Sequence, residues 1–131
     1  MKKIISIITV VLLSLSLCSC GKYVSSYKAV CLIKNQTSHS CEASFDSLEG
    51  QLVFKIKKSE RGEGSVNYSV QVEEGEIRLY CDVYDYKQEL AHVKAGDSVT
   101  DRGGYVEGKQ TVYIIIEGSN NAKGKVSVEL D

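Results

Sequence analysis

The stretch SVNYSVQVEEGEIRLYCDVY, residues 65–84, decides the fold class. Val66, Tyr68, Val70 and Val72 alternate with polar residues, and Ile77, Leu79, Cys81 and Val83 alternate with Glu76, Arg78, Tyr80, Asp82 and Tyr84. Successive side chains of an extended chain point to opposite faces, so this period of two sends one set toward a core and the other toward water. Glu73-Glu74-Gly75, between the two runs, reads as a hairpin turn.

The same rhythm extends in both directions. Ala29, Cys31 and Ile33 form one set, Cys41, Ala43 and Phe45 another, and Leu52, Phe54 and Ile56 a third. Residues 88–93 make a short strand. Residues 110–117 make a stronger one, in which Tyr113-Ile114-Ile115-Ile116 is apolar on both faces, as a central strand requires. Val126, Val128 and Leu130 close the chain. The segments between, at 35–40, 47–50, 59–64, 96–104 and 118–124, are rich in glycine, serine, asparagine and aspartate. About eight short strands with such punctuation predict an all-β fold, an antiparallel two-sheet β-sandwich, jelly-roll-like or immunoglobulin-like, with its strand order open.

The chain has 131 residues, 43% apolar and 25% charged, which suits one globular domain and excludes a mostly disordered, collagen-like or multi-span membrane protein. Its 16 basic and 17 acidic side chains leave a net charge of −1, so no nucleic-acid partner is expected.

At the N-terminus Lys2 and Lys3 precede an apolar run from Ile4 to Leu17 without a charge. It is too short to span a membrane as a helix and reads as an export signal. Leu17-Cys18-Ser19-Cys20 resembles the lipobox of bacterial lipoproteins, with an aliphatic residue three before Cys20 and a small one just before it. The resemblance implies cleavage before Cys20 and lipidation of its thiol, the nucleophile able to accept a diacylglyceryl (palmitate-type) chain. Two or three acyl chains hold a protein on a membrane where one is marginal. The expected organisation is a signal peptide at 1–19, a lipidated N-terminus and tether at 20–27, and the sandwich at 28–131. Its expected location is extracytoplasmic, lipid-anchored to the bacterial cell membrane or outer membrane.

From Gly64 to Leu130 the chain also resembles bacterial pre-peptidase C-terminal domains and small lipoproteins of Gram-positive bacteria. The residues carrying this are the strand pair around Gly75, Ala95-Gly96-Asp97-Ser98, Gly104-Tyr105, Tyr113-Ile114-Ile115 and Lys123-Gly124-Lys125-Val126-Ser127-Val128. This resemblance implies a non-catalytic accessory or binding module.

Besides Cys18 and Cys20 the chain holds Cys31, Cys41 and Cys81. Export permits disulfides, and Cys31 and Cys41 flank a loop between successive strands, so a bridge between them is the leading pairing. Pairing of either with Cys81 is the rival. Cys81 otherwise reads as a small core residue.

The sequence carries no glycine-flanked serine elbow, P-loop, dinucleotide fingerprint or EF-hand, and His39 and His92 stand apart, so no enzyme is expected. Asp97 and Asp101 read as turn-forming aspartates, with weak Ca²⁺ ligation the alternative and no other cofactor expected. Asp82 and Asp85 lie near one strand end. Tyr80, Tyr84 and Tyr86 share parity with Asp82, and if the strand continues they form an aromatic and acidic stripe opposite the core. Cross-strand packing accounts for such a stripe; as a free face it can stack on sugars or anchor a protein. Lys55, Lys57, Lys58 and Arg61 read as a solvated edge, with membrane-surface contact the alternative. The expected role is binding in the cell envelope, to a carbohydrate or cell-wall ligand through the tyrosines. The other reading is a protein-interaction or inhibitor module using residues 96–108 as a glycine-rich loop. Oligomeric state is left open.

Overall fold

The computed structural model describes residues 23–58, 63–108 and 110–130. The expected signal peptide at 1–19, Cys18, Cys20 and Arg61 lie outside the described residues. Among those described are the strands β1 (Ser26–Val30), β2 (Ile33–Gln36), β3 (Ser40–Lys58), β4 (Glu63–Val83), β5 (Tyr86–Lys94), β6 (Ser98–Glu107) and β7 (Gln110–Leu130). All pair antiparallel, in the order β1-β3-β7-β4-β5, with β2 also on β3 and β6 also on β4.

β3, β4 and β7 run for 19, 21 and 21 residues, several times the usual length of about 5–6. Each bends midway, and the sheet folds over on itself into the two layers of a β-sandwich. Layer I holds β2, 40–45 of β3, 124–130 of β7, 64–72 of β4, and β6. Layer II holds β1, 47–58 of β3, 110–119 of β7, 76–83 of β4, and β5. Between them lies one core, with Phe45, Val66, Val70 and Val128 from layer I against Leu52, Ile56, Leu79 and Ile114 from layer II, all buried. The Tyr68 hydroxyl crosses it to donate to the Leu90 carbonyl at 2.9 Å.

The expected all-β sandwich is thus the fold, but several expected boundaries are not. Glu73-Glu74-Gly75 is not a hairpin. Residues 66–72 and 77–83 do not pair with each other; both pair with β7, through Val72 with Gly124 and Ile77 with Gly118. The bends at 47–50 in β3 and 118–122 in β7 lie alongside, so the three bends form a fold line. Register shifts fall there, between Phe45 and Gly50 and between Val72 and Glu76. Residues supplying the left-handed backbone include Gly75 (φ 70°) and the pair Asn120 and Asn121 (φ 57° and 54°). At Gly75 space is as tight as the dihedral is unusual: a Cβ there would sit 2.5 Å from the Ser119 carbonyl oxygen and 2.7 Å from that of Asn120.

Residues 98–107 were expected in a loop and instead form β6, an edge strand on β4. The polar sequence Ser98-Val99-Thr100-Asp101-Arg102 is exposed on most of its side chains, which hid its period. Opposite the fold line, the strand ends meet at an open end. There the Lys57 amide donates to Ser38 O at 2.7 Å and the Leu130 amide to His39 O at 2.9 Å.

The expected bridge between Cys31 and Cys41 does not form. Cys31, Cys41 and Cys81 are all free thiols, and only Cys31 is exposed. Cys41 faces Gln36 in the register of β2 on β3, whereas Cys31 follows Val30, which pairs with Ser47, and so lies beside Asp46 further along β3. Five residues of strand separate Asp46 from Cys41, a distance of about 17 Å. A disulfide spans Cα atoms about 4.4–6.8 Å apart. Burial pushes the Cys41 thiol up to about 12 and raises that of Cys81 as well.

Candidate functional site

The chemistry gathers on the outer face of layer II near the open end. Central strand β7 presents Tyr113, Ile115 and Glu117 on this face. In register beside them stand Lys55, Val53 and Gln51 of β3, and Asp82, Tyr80 and Arg78 of β4. Ile115 is fully buried although it points away from the core. What covers this side is the segment from Tyr23 to Ser25, which precedes β1. The Ser25 hydroxyl accepts from the Val53 amide at 2.9 Å, and the Tyr23 ring meets Tyr113 edge to face at 5.4 Å between centroids. The Tyr23 hydroxyl donates to Asp82 Oδ2 at 2.5 Å. Asp82 is only 3% exposed, and a carboxylate so removed from water is retained only with hydrogen-bonding partners.

Lys87 stands over this aromatic group, its ammonium 4.4 Å from the Tyr80 ring centroid and 5.9 Å from that of Tyr23. Burial raises the Tyr80 hydroxyl above its ordinary value, so this tyrosine is a neutral donor at physiological pH.

The stripe expected from Tyr80, Tyr84 and Tyr86 is broken by the turn. β4 ends at Val83, and Tyr84 and Asp85 both take positive φ, 58° and 62°, as the two central residues of a type I′ hairpin. Asparagine, aspartate and glycine take that conformation cheaply; a tyrosine there costs roughly 1–3 kcal/mol and must be held by its surroundings. The Tyr84 hydroxyl donates to Glu107 O at 2.5 Å and accepts from the Glu107 amide at 3.1 Å. Tyr80 thus lies under Lys87, Tyr84 lies across the end of β6, and Tyr86 stands 67% exposed at the hairpin tip.

Of the three, Tyr84 enters a cleft of about 520 Å³ together with Lys55, Asp82, Asp85, Gln110, Thr111 and Tyr113. Here two aromatic rings, two carboxylates, an amide, a hydroxyl and an ammonium converge. Sequence reading placed Tyr84, Asp82 and Asp85 near one another but missed Tyr113, Gln110, Thr111 and Lys55. The double-sided apolar run of β7 marked Tyr113 as central-strand material, and no local signal sets its outward ring against Tyr23.

The other candidates separate. Asp97 lies in the turn after β5, its amide donating to Lys94 O at 3.0 Å, while Asp101 lies within β6 opposite Tyr68. Among the described residues no three histidine, cysteine or acidic side chains come together as a metal site. His92 pairs with Glu76 at 3.1 Å, and His39 is exposed in the turn before β3. Lys55 and Lys57 are exposed as expected, but Lys58 is buried. The outer face of layer I carries a polar groove of about 430 Å³. There Arg102 Nε donates to Asn67 Oδ1 at 3.0 Å, and Ser69 and Thr100 hydroxyls bond at 3.2 Å. These side chains engage one another across strands, and the aromatic residue in the lining, Tyr68, is buried with its hydroxyl turned to Leu90.

No family model and no curated protein matches the sequence. Several solved structures are similar. A family 29 carbohydrate-binding module has a TM-score of 0.44 at 12% identity, over 82% of this chain and 74% of its own. A variant of the module CBM29-2 complexed with mannohexaose gives 0.43 at 10%, over 82% of this chain and 91% of its own. A cycloisomaltooligosaccharide glucanotransferase of Paenibacillus sp., complexed with cycloisomaltoheptaose, gives 0.43 at 13%, over 81% of this chain and 16% of its own. Likeness at that level says nothing of what this chain binds.

Proposed function

We propose that the protein is a non-catalytic, extracytoplasmic glycan-binding module, lipid-anchored at Cys20, whose ligand enters the cleft between Tyr84 and Tyr113. The observation supporting this is the composition of that cleft. A sugar presents apolar C–H faces ringed by hydroxyls, each both donor and acceptor. Tyrosine rings match the faces, the exposed carboxylate of Asp85 accepts from sugar hydroxyls while the buried Asp82, held by Tyr23, backs the cleft wall, and Lys55, Gln110 and Thr111 donate to sugar oxygens. Lys55 against two carboxylates leaves the cleft one negative charge, so neutral sugars are favoured over uronic acids and phosphorylated glycans.

Titration of the lipid-bearing protein against a panel of neutral and acidic oligosaccharides tests the reading. A neutral oligosaccharide binds the native chain, and the double variant Asp85→Asn, Gln110→Ala loses at least about tenfold in affinity, the equivalent of roughly 1.4 kcal/mol, with an unchanged melting temperature. Equal affinity in the variant, or binding confined to acidic sugars, refutes it. Long incubation should release no new reducing ends.

A further inference from the structure

The direction of the N-terminal segment fixes which end of the sandwich is nearest Cys20. β1 runs antiparallel to β3, from Ser26 opposite Gln51 to Val30 opposite Ser47. Traced backward from Ser26, the chain therefore heads toward the far end of β3. Ser25 lies at Val53, and Tyr23 at Tyr113 and Asp82. It leaves the described fold at the open end, beside the cleft. Cys20 is three residues earlier in the sequence.

The two ends differ in what they offer a surface. At the open end the β4–β5 hairpin holds out Tyr84 and Tyr86, 54% and 67% exposed, with Lys55, Lys57 and Lys87 exposed around it. Asp85, Glu107 and Glu129 are exposed there too, so this end is balanced in charge. Along the fold line exposed Asp46, Glu49, Glu73 and Glu74 outnumber exposed Lys28 and Lys94. Tyrosine is the side chain that sits at the headgroup level of a bilayer, and lysines are drawn to anionic lipid. Chain exit, aromatic tip and the lack of the fold line's acidic excess all select the same end.

We propose that the open end is the surface the protein lays on an anionic bilayer, with Tyr86 at the hairpin tip in the headgroup layer and the acidic fold line pointing away. This rests on the lipid anchor proposed at Cys20. The cleft then opens beside the membrane, and its ligand is met at the bilayer surface.

The chain contains no tryptophan, so a single one reports position. Tyr86→Trp at the tip and Glu74→Trp at the fold line are each placed in the full lipid-bearing protein. Each is reconstituted on phosphatidylglycerol vesicles with and without brominated acyl chains. Tyr86→Trp should shift its emission to the blue and lose intensity on brominated vesicles, while Glu74→Trp does neither. Equal quenching of both, quenching of neither, or quenching of Glu74→Trp alone overturns the orientation. Flotation with the vesicles reports the anchor separately: protein that does not float refutes the anchor, and protein that floats with the wrong quenching pattern refutes only the orientation. The vesicles carry no glycan, so the outcome is independent of what the cleft binds.

Discussion

Replacing Gly75 by alanine tests the fold-over of β4 directly. Alanine adds one methyl group, yet at this position it meets three backbone atoms: Ser119 O at 2.5 Å, Asn120 O at 2.7 Å and the Ala122 Cα at 2.8 Å. None can rotate aside as a side chain would, and φ of 70° adds the strain of an L-residue in the left-handed region. That strain costs about 1–2 kcal/mol. Displacing the fold line of β7 adds an overpacking cost of about 1–3 kcal/mol, for a total of roughly 2–5 kcal/mol. At about 4–8 °C per kcal/mol for a domain of this size, the melting temperature falls by at least about 8 °C. Gly96→Ala is the internal control. Gly96 has φ of 89°, but a Cβ added there would meet nothing within 4 Å, so it bears only the dihedral cost. Thermal and urea unfolding followed by circular dichroism would compare the two. If Gly75 were merely a hairpin residue, the variants would lose similar stability. A Gly75→Ala loss no larger than that of Gly96→Ala refutes the folded-over strand.

Tyr23→Phe removes a hydrogen bond to a buried carboxylate and should destabilise the fold by about 1–3 kcal/mol in urea unfolding; no change would detach the N-terminal segment from Asp82. Among Cys31, Cys41 and Cys81, native alkylation followed by intact mass should modify Cys31 alone, since the other two are buried; full reaction of all three requires denaturant. Hydrogen bonding to His92 holds the Glu76 carboxyl below its ordinary value of 4.5. A carboxyl depressed in the folded state contributes stability above its unfolded value and loses it as pH falls through the folded one. The melting-temperature gap between the native chain and Glu76→Gln should therefore be present at neutral pH and narrow as pH falls below 4.5; a constant gap would refute the pairing.

The alternation in residues 65–84 was enough to read the layer class, because an inward apolar set is a property of each strand alone. Which runs belong to one strand was not legible. Glycine at positive φ serves a hairpin and a bend equally, and only the pairing of both halves of β4 with β7 tells them apart. β6 went unread because Gly103 and Gly104 interrupt it and its side chains mostly face water. In the cleft, Asp82 and Tyr84 are neighbours in sequence and were found together. Tyr113 and Tyr23 reach the same place through pairings across β3, β7 and β4, which local sequence does not encode. The broken stripe has the same origin, since the exposed-face parity of Tyr80 and Asp82 holds only until Val83, where the chain reverses.

Three strands that each belong to both layers also settle how the molecule bears load. In a sandwich joined only by loops, the layers can shear past one another while each stays intact. Here sliding would have to stretch three continuous backbones at the fold line, so the layers are expected to yield together. A pull applied through residue 23 meets a different resistance. It first strips Tyr23 from Asp82 and Ser25 from Val53, and then loads the five ladder pairs of β1 on β3. β1 is an edge strand, and its loss leaves the three long strands paired. The N-terminal attachment thus acts as a mechanical fuse: it releases before the folded body does.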